Sequence, residues 1–348
     1  MTRIDVGILG ATGMVGQQFI ALLAHHPWFK VAWMGASQRS EGKAYRDATS
    51  WRLAVPLPDD VAGMGVDAAA PGRAPKLVFS GLDSSVAGEI EAAFAAAGHI
   101  IVSNSRNYRM DATVPLLIPE INGDHLALLD AQGAATGWTG RIVTNPNCAA
   151  VVLAMALAPL RQFGLAKTLV TTLQAISGAG YPGVASWDIL ANVIPHIGGG
   201  EEEKVEVETK KILGDLKSGA IADHPVTISA TTTRVPVHNG HTASISIALD
   251  QKPEPAAIID AWTSFRGQPQ LMELPSAPPR PIVYLTEPNR PQPALDVNRD
   301  GGMTVTVGRL RRCPVLDDKF VALGHNTIRG AAGAAILNAE LMYREGLL

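Results

Sequence analysis

One of the two cysteines, Cys148, lies in a sequence context that suits covalent chemistry. It follows Asn-Pro-Asn, in which Pro146 fixes its own φ angle and favours a turn. The run Ala149–Leu160 predicts a helix, with Asn147 as its N-cap and Cys148 in the first turn. Free backbone N–H groups and the positive end of the helix dipole favour a thiolate there. We therefore predict a nucleophile whose pKa lies below the usual value of about 8.5. A buried structural cysteine is the alternative.

Length, charge and hydropathy limit the possible classes of protein. The chain has 348 residues, 47% of them hydrophobic, and a formal net charge of −3. The length predicts two domains, and the charge predicts no attraction to nucleic acid or to an anionic membrane. No apolar run is long enough to span a bilayer, and the first residues lack the pattern of a signal peptide. Two distant cysteines do not form a disulfide scaffold, so we expect a cytoplasmic enzyme with free thiols and no metal site.

A glycine-rich turn near the start predicts a dinucleotide site. The strand Ile4–Leu9 leads into the sequence GATGMVG, which is followed by an amphipathic helix over Gln17–Leu23. Gly10 permits the tight turn, Gly13 lets the backbone approach a pyrophosphate, and Gly16 lets helix and strand pack closely. The GxxGxxG spacing departs from the usual GxGxxG, and a turn without a ligand is the alternative. The predicted cofactor contacts in this turn are Gly10, Thr12, Gly13, Met14 and Val15.

The end of the second strand indicates which dinucleotide binds. NAD sites usually place an acidic residue there to hold the ribose 2′-hydroxyl. Here the strand Lys30–Ala36 is followed by Ser37, Arg39 and Ser40. Hydroxyl groups and a guanidinium suit a 2′-phosphate better, so we predict NADP as the cofactor. A further strand ends in small residues at Ser80, where a cofactor could lie close to the backbone.

The elements before Cys148 alternate between strands and helices. Further strands are predicted at Leu77–Leu82, His99–Val102 and Arg141–Thr144, with a long helix after the first of them. This alternation is typical of a doubly wound parallel sheet. The strand that ends at Val102 runs into SNSRNYRM, where Arg109 suits either an anionic ligand or a surface ion pair.

The character of the sequence changes after the Cys148 helix. Long β-rich runs at Ala166–Ile176, Val226–Val237 and His241–Leu249 predict antiparallel strands with one buried and one interfacial face. A final helix, Ala331–Met342, is apolar enough to pack back on the first domain. The predicted fold is α/β, with an N-terminal Rossmann-like sheet and an α+β catalytic and dimerisation domain. We place the first domain at 1–148 and 325–348 and the second at 149–324.

These motifs together resemble the aspartate-semialdehyde dehydrogenase family, and most closely its archaeal and fungal branch. The resemblance extends over nearly the whole chain through GATGMVG, SNSRNYRM, NPNC, LQAISGAGYPG, EEEKVEVETKKILG, RVPVHNGH and GHNTIRGAAG. It implies an NADPH-dependent conversion of L-aspartyl-4-phosphate to L-aspartate-4-semialdehyde, on the route to lysine, methionine and threonine. It also implies a homodimer or homotetramer.

The resemblance assigns catalytic roles to three residues. Cys148 matches the nucleophile, which forms a thioester and so divides one reduction into easier steps. His241 matches the acid and base that moves a proton on and off the adduct. Gln174 matches the residue that orients the substrate near the sulfur.

Binding roles follow in the same way. Arg234 matches the guanidinium that takes the substrate α-carboxylate in a fork. Glu208 matches the carboxylate at the substrate amino group, and Lys211 matches a phosphate ligand, although such a pair on a charged helix is usually a solvated face. The remaining implied contacts are Arg109 and Asn147 for phosphate, and Ser177, Gly178 and Asn326 for the cofactor.

Other functions would use part of the same machinery. A malonyl-CoA reductase on this scaffold would keep Cys148, His241 and NADPH but would have less use for Glu208. N-Acetylglutamyl-phosphate reductase and phosphorylating glyceraldehyde-3-phosphate dehydrogenase share the Cys–His logic but not the flanking motifs. A non-catalytic NADP-binding sensor would need no nucleophile.

Overall fold

The computed structural model describes residues 3–348, which form two six-stranded sheets and one small hairpin. The first sheet contains β1 (Ile4–Leu9), β2 (Phe29–Ala36), β3 (Asp67–Ala68), β4 (Leu77–Ser80), β5 (Ile100–Ser103) and β6 (Arg141–Thr144). Its strands are all parallel, in the order β3-β2-β1-β4-β5-β6. This is the doubly wound order, with the strand sequence reversing at β1 and β4, where such sheets open a crevice for ligands.

Thirteen α-helices occur in the part of the chain that the structure describes. They are α1 (Met14–Leu23), α2 (Tyr45–Ala48), α3 (Asp59–Ala62), α4 (Ser84–Ala96), α5 (Pro119–Asn122), α6 (Leu128–Thr136), α7 (Cys148–Leu157), α8 (Ser186–Ile189), α9 (Glu201–Ile212), α10 (Pro255–Ser264), α11 (Gln268–Leu271), α12 (Pro293–Asp296) and α13 (Gly333–Arg344). Short 3₁₀ segments lie at Gly123–Ala127, Ala158–Phe163, Ile176–Ala179 and Arg299–Gly302, and a π-helical turn lies at Ile328–Ala332. No helix of residues 3–348 is long and apolar enough to cross a membrane.

Helices cover both faces of the first sheet. On one face Phe19 of α1 and Leu337 of α13 share a core with Ile8 and Phe79. On the other face Phe94 of α4 packs with a separate cluster that includes Ile101. The predicted Rossmann-like sheet is therefore confirmed, and the C-terminal helix does return to it. The proposed domain boundaries stay a prediction.

The second sheet is mixed. It contains β7 (Leu165–Gln174), β10 (Thr227–Arg234), β11 (His241–Leu249), β12 (Ile282–Leu285), β13 (Val305–Arg312) and β14 (Asp318–Gly324), in the order β10-β7-β11-β14-β13-β12. The hairpin pairs β8 (Asp215–Lys217) with β9 (Ala220–Ala222). Our prediction that the long strands are antiparallel holds for β11 with β7 but is wrong for β10, which pairs with β7 in parallel. The long connection between β7 and β10 contains α9, and such a crossover is what a parallel pair requires.

Helix α7 connects the two sheets. The described side chains from Ala149 to Leu157 are all buried, so the helix is apolar on every side. Val152 and Leu153 belong to a core that includes Ile245, Trp262 and Phe320 of the second part. Because α7 starts directly after β6, its first residue lies where the carboxyl edge of the first sheet meets the second sheet.

Candidate active site

Three predicted site residues lie at strand ends that meet at one edge of the second sheet. Gln174 is the last residue of β7, Arg234 is the last of β10, and the two are paired in the parallel ladder. His241 is the first residue of β11, which runs antiparallel to β7, so it lies at the same edge. This geometry explains how residues far apart in sequence come together without any local motif.

Cys148 faces this edge from the start of α7. Its Sγ lies 3.1 Å from Nε2 of His241. Asn147 caps the helix as predicted, because its side chain accepts hydrogen bonds from the N–H groups of Ala149 and Ala150 at 2.9 and 3.1 Å. The sulfur and the imidazole therefore form a close pair at the junction of the two sheets.

The protonation state of this pair differs from our expectation. Cys148 keeps part of its surface open, yet burial of the sulfur, followed by the nearby Glu201 carboxylate, raises the pKa of the thiol to about 12. The prediction of a lowered pKa is therefore wrong for the free protein. The cap explains part of this result, since Asn147 already occupies two N–H groups of the first turn. Burial, followed by the charge of Arg234, lowers the pKa of His241 to about 3.

An acidic residue that we did not predict faces the sulfur. Glu201, the first residue of α9, accepts hydrogen bonds from Asn147 Nδ2 at 2.9 Å and from Gln174 Nε2 at 3.3 Å. Lys204 donates to its other oxygen at 2.8 Å. Burial acts to raise the pKa of Glu201, but Lys204 and the two amides hold it below the usual value. Glu201 is thus an ionised carboxylate beside the nucleophile.

Glu208 and Lys211 do not line the cleft, so the structure does not bring them to the place that their predicted roles in substrate binding require. Glu208 accepts from Arg109 Nη1 at 3.0 Å and from the Asn147 N–H at 2.5 Å. Lys211 is buried and donates to three backbone carbonyls, those of Arg109, Asp111 and Val114, at 2.7, 2.7 and 2.9 Å. Burial lowers the pKa of Lys211 to about 8. Both side chains instead hold the Arg109 loop in place from behind.

A cleft of about 450 Å³ opens over the sulfur. Its lining includes Cys148, the Glu201–Lys204 pair and three arginines, Arg106, Arg109 and Arg234. Arg109 reaches it while its Nη2 donates to the Asn104 carbonyl, and Arg234 reaches it while its Nη1 donates to the Ala175 carbonyl. Gln174 is buried just behind Glu201. A larger cavity of about 530 Å³ lies beyond Ser177–Gly180 and contains none of the predicted catalytic side chains.

Five of the twelve predicted cofactor residues line the same cleft. Those that line it are Met14, Val15, Ser177, Gly178 and Asn326. Asn326 donates to Ser177 Oγ at 2.8 Å and accepts from the Gly240 N–H at 2.8 Å. It therefore connects the loop that follows β7 with the turn that precedes β11. These residues would hold the nicotinamide end of the cofactor in the cleft that Cys148 also lines.

The glycine-rich turn fits a pyrophosphate. Gly10 has φ +72°, and a Cβ there would lie 2.7 Å from the Gly81 carbonyl. A Cβ on Gly16 would lie 2.4 Å from the Gly10 carbonyl, so only glycine allows the helix to start so close to the turn. Helix α1 begins at Met14, earlier than predicted, and no side chain caps it. Its first N–H groups, together with Thr12 in the turn, are therefore placed for a phosphate, whereas the Gly13 N–H already donates to the Gly10 carbonyl at 3.0 Å.

The predicted 2′-phosphate residues follow β2 directly. Ser37 and Arg39 are exposed and Ser40 is buried, in a turn closed by a hydrogen bond from the Ser40 N–H to the Ser37 carbonyl at 2.8 Å. The Ser80 side chain is fully buried and its carbonyl accepts from Asn104, so the predicted cofactor contact there would involve the backbone. Among residues 3–348, no group of three or more His, Cys, Asp or Glu side chains could hold a metal ion.

Adding a methyl group at Gly330 should disturb the nucleophile. Gly330 lies in the π-helical turn, and a Cβ there would lie 2.6 Å from Cys148 Cβ and 3.0 Å from Cys148 Cα. We expect Gly330→Ala to lower kcat by about 10²-fold, since a displacement of the sulfur of about 1 Å spoils its alignment. Steady-state kinetics beside an NADP binding titration checks this. Gly65→Ala is the matched control, because nothing lies within 4 Å of its added Cβ. Normal kcat in Gly330→Ala would show that the sulfur position tolerates the methyl group.

Buried neutral histidines should make folding sensitive to mild acid. The pKa of His241 is lowered to about 3, and burial followed by the nearby His238 lowers the pKa of His325 to about 4. The unfolded chain binds protons at these sites below a pH of about 6.5, whereas the folded chain does not, so acid favours unfolding. Between pH 7 and 5 each ring should remove about 2 kcal/mol from the unfolding free energy.

Urea denaturation at pH 7, 6 and 5 measures this loss. We expect the His241→Gln variant to lose about 2 kcal/mol less than the wild type over the same range, because it lacks one of the two buried rings. Identical losses in the two proteins would contradict the assignment of a neutral buried ring to His241.

Two protein-family models match different parts of this chain. A family model described as "Semialdehyde dehydrogenase, NAD binding domain" matches residues 5–129. Another, described as "Semialdehyde dehydrogenase, dimerisation domain", matches residues 157–329. Aspartate-semialdehyde dehydrogenase from Archaeoglobus fulgidus is 45% identical, with 99% of this chain and 100% of the relative covered. The enzyme of that name from Cryptococcus neoformans is 48% identical, with 99% and 98% covered.

A solved structure is similar over the whole chain. The crystal structure of aspartate semialdehyde dehydrogenase with NADP from Candida albicans superimposes with a TM-score of 0.91 at 40% identity, and the match covers 100% of both chains. An enzyme from Vibrio cholerae shares the fold at a TM-score of 0.79 and 23% identity.

Proposed function

The chain belongs to the aspartate-semialdehyde dehydrogenase family of NADP-dependent oxidoreductases, and we propose that it converts L-aspartyl-4-phosphate to L-aspartate-4-semialdehyde. This reaction belongs to the biosynthesis of lysine, methionine and threonine. One observation carries the proposal: a thiol 3.1 Å from an imidazole, at a cleft that is also lined by three arginines and an ionised carboxylate. That set complements a small zwitterion that carries a phosphate.

Cys148 is the proposed nucleophile. Its sulfur attacks the acyl carbon, phosphate leaves, and a thioester remains on the enzyme. When bound, NADPH supplies the hydride that reduces this thioester. The adduct then breaks its carbon–sulfur bond and releases the aldehyde. His241 is close enough to act both on the sulfur and on the oxygen of the adduct, and Gln174 fixes the position of Glu201 beside them.

Each charged residue of the cleft is proposed to bind a different group of the substrate. Arg234 lies beside His241, lines the cleft, and is proposed to take the α-carboxylate in a fork. Glu201 is the better candidate for the amino group, because it lines the cleft, whereas Glu208 does not and is held by Arg109 and Asn147. For phosphate we propose Arg109 and Lys204, with Asn147 at the rim of the cleft. These assignments replace Glu208 and Lys211 by Glu201 and Lys204.

NADP is held by residues of both parts of the chain. The turn from Gly10 to Val15 is proposed to hold the pyrophosphate at the start of α1, and Ser37, Arg39 and Ser40 the 2′-phosphate. Ser177, Gly178 and Asn326 flank the nicotinamide end. Ser80 can contribute only through the backbone around it.

The malonyl-CoA alternative is not favoured. The relatives that match this chain over nearly all of its length are aspartate-semialdehyde dehydrogenases. Glu201 also gives the site a fixed negative charge beside the sulfur, which suits an ammonium group and not a malonyl carboxylate.

Steady-state assays test the function directly. We expect NADPH to form from NADP, aspartate semialdehyde and inorganic phosphate, and malonyl-CoA to give no comparable oxidation of NADPH. Turnover of malonyl-CoA at a similar kcat/KM would overturn the proposal. Omission of phosphate is the control, because the thioester then has no acceptor.

The second sheet is proposed to form a homodimer, and a homotetramer is the alternative. The matched dimerisation model covers this part of the chain. Leu169 and Leu173 lie on the solvent-facing side of β7, and Trp187 of α8 is 94% exposed. Light scattering during size exclusion distinguishes the two assemblies. A cytoplasmic location stays a prediction.

A further inference from the structure

Both ring nitrogens of His241 have defined neighbours. Nε2 lies 3.1 Å from Cys148 Sγ, and Nδ1 lies 3.1 Å from the backbone nitrogen of Ala175, which donates to it. A backbone N–H can only donate, so Nδ1 must accept and cannot carry a proton. The ring is 1% exposed, which leaves no room for solvent to reverse this arrangement. The neutral ring therefore carries its proton on Nε2, directed at the sulfur.

The Ala175 amide is itself rigidly placed. Ala175 follows the last residue of β7 and is fully buried. Its carbonyl accepts from Arg234 Nη1 at 2.7 Å and from the Gly178 N–H at 3.1 Å. The next residue, Ile176, donates to the Val237 carbonyl at 2.8 Å. The N–H of Ala175 is thus fixed in direction by bonds on both sides of it.

The opposite edge of the imidazole is closed as well. A Cβ built on Gly178 would lie 3.0 Å from Cε1 and 3.1 Å from Nε2 of His241, and 2.9 Å from Arg234 Nη1. A side chain at this position would press on the ring and displace the end of Arg234. The ring is therefore enclosed by Cys148, Ala175 and Gly178, and this enclosure opposes rotation into another orientation.

We propose that the backbone N–H of Ala175 is a positioning group that holds His241 in the Nε2–H form, which makes His241 a hydrogen-bond donor to the sulfur and the adduct oxygen. This inference rests on the proposed function and makes it more specific. It also changes our sequence-based interpretation of His241 as a group that takes a proton on and off. A ring held in this form cannot accept the thiol proton at Nε2.

The protons of the reaction are accounted for although His241 stays neutral throughout. As the sulfur–carbon bond forms and the carbon–oxygen bond to phosphate breaks, the thiol proton leaves with the phosphate as HPO₄²⁻. Hydride from NADPH then turns the thioester into an alkoxide, which the Nε2–H group stabilises as an oxyanion donor. Cleavage of the carbon–sulfur bond gives the aldehyde and a thiolate, and the thiolate takes one proton from solvent. The sum is acyl phosphate, NADPH and one proton to aldehyde, NADP⁺ and HPO₄²⁻.

Nitrogen NMR measures directly which ring nitrogen of His241 carries the proton. The full chain, labelled with ¹⁵N-histidine, is compared with the His241→Gln variant to assign the resonances of residue 241. We expect an unprotonated Nδ1 and a protonated Nε2 that do not change from pH 5 to 8. A protonated Nδ1, or a ring protonated on both nitrogens at pH 7, would overturn the proposal. This readout does not depend on which substrate the enzyme uses.

Kinetics of two variants test the consequence for catalysis. Gln at position 241 keeps an N–H donor without a basic nitrogen, whereas Met has a similar size and no donor. We expect His241→Gln to keep a kcat at least about 10-fold above that of His241→Met, since one oxyanion donor is typically worth about 10²-fold or more. Equal kcat values in two variants that bind NADP normally would reject the donor role. Failure of the wild type to use aspartate semialdehyde would instead reject the proposed function alone.

Discussion

The Cys148→Ala variant is expected to lose turnover of aspartate semialdehyde by a factor of about 10⁴ or more, while it still binds NADP. Cys148 is the one cysteine in the lining of the cleft, and the thioester cannot form without its sulfur. The cofactor-side residues belong to other elements, so removal of one Sγ leaves them in place. Initial rates of NADPH formation and a fluorescence titration with NADPH measure the two properties separately.

Cys313 provides the matched control for this variant. It lies in the turn between β13 and β14, and its sulfur accepts only a weak hydrogen bond, at 3.5 Å, from the Leu316 N–H. Cys313→Ala should therefore keep normal kinetics. If Cys148→Ala lost NADP binding together with turnover, the thiol would have a structural role instead.

The second large effect concerns Lys204 and Lys211, which lie on the same helix and are expected to have different roles. Lys204→Met should lower kcat/KM by about 10²-fold with little change in stability, because Lys204 is partly exposed and its charge faces the cleft. Lys211→Met should instead lower the unfolding free energy by about 2 kcal/mol, since it leaves the buried carbonyls of Arg109 and Val114 without a donor, each worth about 1 kcal/mol. Kinetics and urea denaturation of both variants measure the two effects, and each lysine serves as the control for the other.

The opposite pattern would contradict the reassignment of the phosphate site. If Lys211→Met kept its stability and lost activity, while Lys204→Met was normal, the prediction based on the sequence would be correct and the contacts in the structure would not describe the working enzyme.

The sequence could not decide between these two lysines. Helix α9 contains Glu-x-x-Lys twice, at Glu201–Lys204 and at Glu208–Lys211. The two pairs are seven residues apart, which is close to two helical turns, so both project from the same side of the helix. Only the position of α9 decides between them. Its first turn reaches the cleft, and its last turns pack beneath the Arg109 loop.

Local patterns predicted the residues whose roles depend on local structure. The turn at Gly10, the Asn147 cap and the position of Cys148 in the first turn all follow from neighbours in the sequence. The parallel pairing of β10 with β7 does not, because it is set by the crossover that contains α9. Local patterns also fail to predict the raised pKa of the Cys148 thiol, because burial by distant parts of the chain outweighs the effect of the helix start.

The sequence patterns did not identify the strands β12, β13 and β14, and β13 shows why. The segment of β13 is interrupted by Gly308 and by three arginines, and its pattern of burial changes halfway along the strand. Neither period-two alternation nor a continuous apolar run is present over its full length, so no local rule identifies it. Its place in the sheet is set by β14, which pairs with it through a register shift.

The most direct test of the central claim is to trap the acyl-enzyme. The enzyme is mixed with aspartate semialdehyde and NADP in the absence of phosphate, quenched in acid, digested and analysed by mass spectrometry. We predict a burst of one NADPH per subunit and an aspartyl adduct on the peptide that contains Cys148. NADPH formation without an adduct, or an adduct on the Cys313 peptide instead, would contradict covalent catalysis by Cys148.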